Sequence, residues 1–153
     1  MNAFTLLKED HQKVSGIFEK LEETTERAEK TRAEMFAQLK QELEIHAHIE
    51  ETIFYPELKR EAETREITLE GVEEHKDIKA ALAEVGGTDV TSELFAIRLK
   101  VLKELVEHHV EEEEGEMFKS AREVFPAARI EELGAQMAEE KKAQQQKLKA
   151  ASA

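Results

Sequence analysis

The chain has 153 residues, no cysteine and a formal charge of −13, with 37% charged and 5% aromatic residues. The length fits one domain whose core needs no covalent staples, and the missing thiols exclude disulfides, thiolate metal sites, iron–sulfur clusters and cysteine nucleophiles. The acidity opposes binding to phosphate backbones, so no nucleic-acid partner is expected. With no signal peptide and no apolar run near the roughly 18 residues of a membrane span, a cytoplasmic protein with no membrane partner is expected.

Abundant Ala, Leu, Glu and Lys with two prolines predict helices rather than sheets. The first helix should run from about Thr5 to Glu26, with Phe4, Leu7, His11, Val14, Phe18 and Leu21 spaced by three and four along one face. A second should begin near Thr31, where Thr31 and Glu34 make a capping box. Its stripe is Phe36, Leu39, Leu43, His46, Glu50 and Ile53, and Pro56 should distort its end, because proline cannot donate to the carbonyl of Thr52. The third covers roughly Thr68 to Val85, with Val72, His75, Ile78 and Leu82 inward, and stops at Gly86-Gly87. The fourth starts near Thr91 and carries Phe95, Leu102, Val106, His109, Glu113 and Met117. After Pro126, a short amphipathic segment (Ile130, Leu133, Met137) should trail into a polar tail that frays at its end.

The pattern repeats. His46 and His109 are each followed four residues later by a glutamate, Glu50 and Glu113, at an offset of 63. Two helical hairpins with approximate two-fold symmetry are implied, packed as an all-α, antiparallel up-down-up-down four-helix bundle with a short C-terminal helical tail. The boundaries expected are a bundle domain over residues 1–125 and an amphipathic helix with a polar tail over 126–153.

A single core histidine is more often structural than a ligand. Here each of the four helices places one on its inward stripe, and two helices add an inward glutamate. Ionised carboxylates left unpaired in a dry core would cost several kcal/mol each, and no Lys or Arg lies on these stripes to neutralise them. Coordination to cations removes the penalty. Residues four apart on a helix stack about 5–6 Å apart at Cβ, so His46 with Glu50, and His109 with Glu113, can aim at one central volume. His11 and His46 would share one metal and His75 and His109 the other, with Glu50 and Glu113 as bridges. Four imidazoles and two carboxylates suit iron, manganese or zinc, and they leave positions for an oxo, hydroxo or water ligand. His48 and His108 lie off the register and are expected to flank the site, as are Glu51 and Glu114. Tyr55, one turn beyond Glu51 in ideal geometry, should face away and pack near the kink, unless the distortion at Pro56 swings its phenol toward the cluster.

The segments LKEDHQKV, HAHIEETIFYPEL, EEHKDIKAAL and HHVEEEEGEMF resemble the four helix motifs of the hemerythrin-like HHE cation-binding domain, over residues 3 to about 125. The resemblance implies a carboxylate-bridged centre of two iron ions with ligands His11, His46, Glu50, His75, His109 and Glu113. Oxygen-carrying hemerythrins have a second histidine one turn along the third helix, where this chain has Lys79, and typically an aspartate five residues after the last histidine, where Glu113 follows after four. The pattern is similar to bacterial H-HxxxE-H-HxxxE proteins associated with oxygen, nitric oxide, peroxide or iron handling. Three functions are therefore expected in order: binding or sensing of a small oxidant such as oxygen or nitric oxide; a di-iron enzyme decomposing peroxide or handling nitric oxide; and an iron-storing or structural metal bundle. The chain is expected to act as a monomer or homodimer.

Overall fold

The computed structural model describes residues 1–152. Its elements are α1 (Ala3–Glu22), α2 (Glu29–Ile49), a π-helical turn (Glu50–Phe54), α3 (Tyr55–Lys59), α4 (Ala62–Gly86), α5 (Glu93–Glu112), a second π-helical turn (Glu113–Met117), α6 (Phe118–Val124) and α7 (Ala127–Ser152). No strand occurs among the described residues, and no helix is long and apolar enough to cross a membrane. The hairpins α1–α2 and α4–α5 pack into a four-helix bundle, and α7 lies against α1 and α2.

Local chemistry sets the ends. Asn2 caps α1 by accepting the Thr5 N–H at 2.9 Å, and Ser92 caps α5 by accepting that of Leu94 at 3.1 Å. Three boundaries differ from the sequence expectation. The first helix ends at Glu22, because the Thr24 hydroxyl turns back onto the Leu21 carbonyl at 2.5 Å. The Thr31–Glu34 box does not form: α2 starts at Glu29 behind Ala28. Nearby, the buried Arg32 ties Thr24 to the Val90 carbonyl and lies over the Phe95 ring, closing that end of the bundle. Thr68 does not begin the third helix, since its hydroxyl bonds back to the Thr64 carbonyl at 2.6 Å in the interior of α4.

The C-terminal segment differs most. It forms one helix of 26 residues instead of a short piece with a frayed tail. Ile130, Leu133 and Met137 are buried, and Gly134 meets the start of α1 so closely that a Cβ there would clash with the Met1 carbonyl oxygen. Beyond Met137 the Ala, Glu, Lys, Gln and Leu content sustains the helix by propensity. Residue 153 lies outside the described residues.

Apolar side chains gather in two clusters. One holds Phe4, Leu7, Phe54, Leu58, Phe118 and Leu133; the other holds Phe18, Leu21, Leu39, Phe95, Leu99 and Leu102. Chain order puts His11, His46, His75 and His109 between them on all four long helices, so a polar layer is sandwiched inside the bundle.

Candidate metal centre

The structure brings all six residues singled out by spacing into that layer. Glu50 and Glu113 are fully buried, and none of the four histidines is more than 8% exposed. The imidazoles fall into two pairs, His11 with His46 at 4.9 Å between ring centroids and His75 with His109 at 4.8 Å. Each glutamate spans the pairs. Glu50 Oε1 lies 3.2 Å from His46 Nε2 and 3.0 Å from His75 Nε2. Glu113 places Oε1 3.1 Å from His11 Nε2 and Oε2 3.3 Å from His109 Nε2. A carboxylate touching one imidazole of each pair has the placement required of a bridge.

The outward nitrogens are all engaged. Nδ1 of His46 meets Asp10 at 2.9 Å, that of His75 meets Glu51 at 2.7 Å, that of His109 meets Glu74 at 2.7 Å, and that of His11 meets Glu114 at 2.6 Å. The acids form a closed cycle: each carboxylate holds the histidine of the next long helix, in the order α1, α2, α4, α5 and back to α1. A carboxylate on Nδ1 selects the Nδ1–H tautomer and leaves Nε2 as an inward lone pair. Spacing had already put Glu51 and Glu114 at the flank. Asp10 and Glu74 were missed, although each immediately precedes a core histidine in the sequence.

The donor set fits a cation. Glu50 Oε2 is buried without a hydrogen-bond partner, Glu113 Oε1 has only the His11 Nε2 contact, and His11 Nε2 stands 3.2 Å from His46 Nε2. With both Nδ1 atoms protonated, two lone pairs face one another there, an arrangement that requires either a proton or a metal ion between them. The same contacts shift the proton affinities of the layer. Burial opposes charge on His109, yet Glu113 and Glu74 push its pKa up to about 10. His46 is likewise raised well above its ordinary value, with Glu50 and Asp10 overcoming burial. Burial by itself would raise Glu113, but contacts from Glu50, His109 and His11 hold it well below the usual carboxylate range. Within the layer, two groupings are close enough to hold an ion each, His11, His46, Glu50 and Glu113, and Glu50, His75 and His109; a third, Glu74, His108 and Glu112, lies outside it with His108 exposed.

Tyr55 is in the site. Its hydroxyl donates to Glu113 Oε2 at 2.5 Å and lies 3.2 Å from His109 Nε2 and 3.4 Å from His75 Nε2. The reason is the π-helical turn, in which the Tyr55 N–H reaches back five residues to the Glu50 carbonyl. The extra residue rephases the helix, so Tyr55 takes the position that residue 54 would hold in an α-helix, on the His46–Glu50 stripe. Gly71, one turn before His75, makes room for the ring: a Cβ there would sit 3.3 Å from the phenol oxygen. Burial, then Glu113 and Glu50, raise the phenol well above its ordinary pKa, so in the metal-free cluster it keeps its proton. His48 and His108 stay outside: the first bonds Glu140 at 2.9 Å, and the second is exposed beside Glu74 and Glu112.

On one side of the imidazoles lies a cavity of about 50 Å³, lined by the four histidines with Val14, Leu43, Ile78, Leu82, Val106 and Val110 and reaching Glu44, Ala47 and Lys79.

The hemerythrin HHE cation-binding domain matches residues 2–121. An uncharacterized protein of Mycobacterium tuberculosis is 31% identical over 139 residues, 90% of this chain and 84% of that protein. A DNA nickase of Nostoc is 26% identical over 97% of this chain, which spans only 41% of that longer protein. The crystal structure of a hemerythrin HHE cation-binding domain-containing protein from Mycobacterium kansasii superposes with a TM-score of 0.84 at 29% identity, covering 94% of this chain and 87% of that one. The chain belongs to the hemerythrin HHE cation-binding family.

Proposed function

We propose that the protein holds two iron ions, with His11, His46, Glu50, His75, His109 and Glu113 as ligands, and that the centre binds or senses oxygen, nitric oxide or a related small oxidant. The observation that carries this reading is the apolar cavity against the four histidines. Its size suits a molecule of two or three atoms, and its Val, Leu and Ile walls favour a weakly hydrated guest over an ion. Bound iron would supply a change of oxidation state and an exchangeable coordination position. The side chains supply the rest: the Nδ1 partners fix each imidazole, the glutamates span the two positions, and the cavity walls keep bulk water away.

A second reading, turnover of peroxide, is favoured by Tyr55. The phenol beside Glu113 can donate a hydrogen bond to a peroxide oxygen while it keeps its proton, or serve as a phenolate ligand on giving it up.

Metal analysis and an optical spectrum of aerobically purified protein test the first claim, with two irons per chain and near-ultraviolet charge-transfer absorption expected. Mixing the reduced protein with oxygen or nitric oxide should then change the spectrum without consuming more than stoichiometric ligand. Sustained consumption of hydrogen peroxide would favour the enzyme, and a chain that takes up no metal would remove both readings.

A further inference from the structure

Four carboxylates hold the four imidazoles, but they are not alike. The side chains of Glu74, Glu51 and Glu114 are 21%, 31% and 34% exposed, whereas that of Asp10 is 5% exposed. Asp10 is also gripped at both oxygens: Oδ2 accepts from His46 Nδ1, and Oδ1 accepts from Lys141 Nζ. Lys141 belongs to α7, beyond residue 121 where the family match ends.

The placement of Lys141 follows from how α7 docks. Gly134 lies against the backbone of Met1 to Ala3, and Lys141 reaches Asp10. The interval is seven residues on α7 and seven to nine on α1, about two helical turns in each, so α7 and α1 run in the same direction. One residue earlier, Glu140 accepts from His48 and from Gln144. The polar end of α7 therefore holds the carboxylate behind His46 and also the next outward residue on that face of α2. At the His75 and His109 pair, among the described residues, the outer partners are Lys79 on Glu51 and His108 on Glu74, with side chains 56% and 63% exposed.

We propose that α7 latches one of the two metal positions: Lys141, acting through Asp10, fixes the His46 imidazole and makes the His11–His46 position slower to release its metal than the His75–His109 position. A carboxylate bonded at both oxygens in a dry setting cannot rotate, and the ring it holds cannot swing off a metal without breaking that bond. A carboxylate open to water exchanges its partners more readily; at the His11–His46 position that describes only Glu114, whereas at the His75–His109 position both Glu51 and Glu74 are partly exposed. Lys141 is thus a positioning residue. The inference rests on the two-metal reading above.

The test is release of iron from reduced, iron-loaded, full-length protein to an excess of a coloured iron(II) chelator. The wild type should release iron in two phases, one ion in each. Lys141→Met keeps the apolar stem and loses the charge, and should speed the slow phase on the order of ten-fold, the lower end of what outer partners of metal ligands contribute. The fast phase should not change. Lys141→Arg should restore the slow phase, and Asp10→Asn should speed it. Lys79→Met should leave it alone. An unchanged slow phase in Lys141→Met, even with a lowered melting temperature, would mean that Lys141 only packs α7 and would overturn the latch, as would equal acceleration of both phases. A wild type that loads no iron would instead overturn the two-metal reading, and the latch with it.

Discussion

Tyr55 and Glu113, 58 positions apart in sequence, are joined by a 2.5 Å hydrogen bond at the centre of the bundle. The bond exists because Glu50–Phe54 is π-helical, and the corresponding turn in the other half, Glu113–Met117, puts Phe118 where symmetry would ask for a second tyrosine. The two halves therefore share a backbone device, and the residue after it differs by one hydroxyl.

Tyr55→Phe should fold and retain its metals, since the ring still fills the space beside Gly71. Its visible spectrum or its rate of peroxide consumption should change. If both match wild type, Tyr55 is a packing residue and nothing more.

Gly71→Ala tests the same phenol from the opposite side. Alanine is favoured over glycine in a helix interior by about 1 kcal/mol, but the new methyl would press on the Met117 methyl at 3.2 Å and the Tyr55 oxygen at 3.3 Å. Met117 can yield; the hydroxyl can move only by lengthening its bond to Glu113. A perturbed spectrum resembling that of Tyr55→Phe is expected, measured on protein with undiminished helicity.

Replacing either spanning carboxylate by alanine should lower bound metal sharply, because Glu50 and Glu113 each face both imidazole pairs. His48→Ala should leave metal content near wild type, its partner being Glu140. Equal losses would show that the ligand register on α2 is misassigned.

Chelation should lower the melting temperature. A ligand present at a hundred times its dissociation constant stabilises the folded state by about 2.7 kcal/mol, worth roughly 5–10 °C in a domain of this size. Scanning calorimetry before and after metal removal measures it, and coincident transitions would mean that the six side chains do not act together on an ion.

The metal-free protein should also lose stability as pH rises. His109 has a folded pKa of about 10 against an ordinary value of 6.5. Its contribution is complete below pH 6.5 and disappears as pH climbs through about 10. A metal must displace that proton, so uptake should release protons and strengthen over the same interval. Melting of metal-free protein from pH 6 to 10, followed by circular dichroism, checks the first point; a flat profile would contradict it.

The inward histidines and glutamates were legible because three-and-four spacing survives in α2 and α5 up to Glu50 and Glu113. Past those residues it does not. A π-helical turn adds one residue without a residue type that announces it, so ideal periodicity past Glu50 turns Tyr55 away from the site, whereas Met117, drawn inward past Glu113, is buried. Pro56 marked a disturbance but not its direction. The supporting acids are hidden by abundance: in a chain with 35 acidic residues, nothing in the sequence sets Asp10 and Glu74 apart from solvated surface, and only the fold supplies their partners across the bundle. Lys141 was hidden by distance, in a segment whose polar composition reads as a tail.

The cycle of carboxylates also acts on the helices that carry them. Asp10, Glu51, Glu74 and Glu114 each cross to a different neighbour, so every long helix both gives a hold and receives one. Rotating or sliding any one of them would disturb two imidazoles at once, its own and that of the following helix. The ring therefore acts as an interlock between neighbouring helices, tying the alignment of each pair to the orientation of one imidazole in the cage.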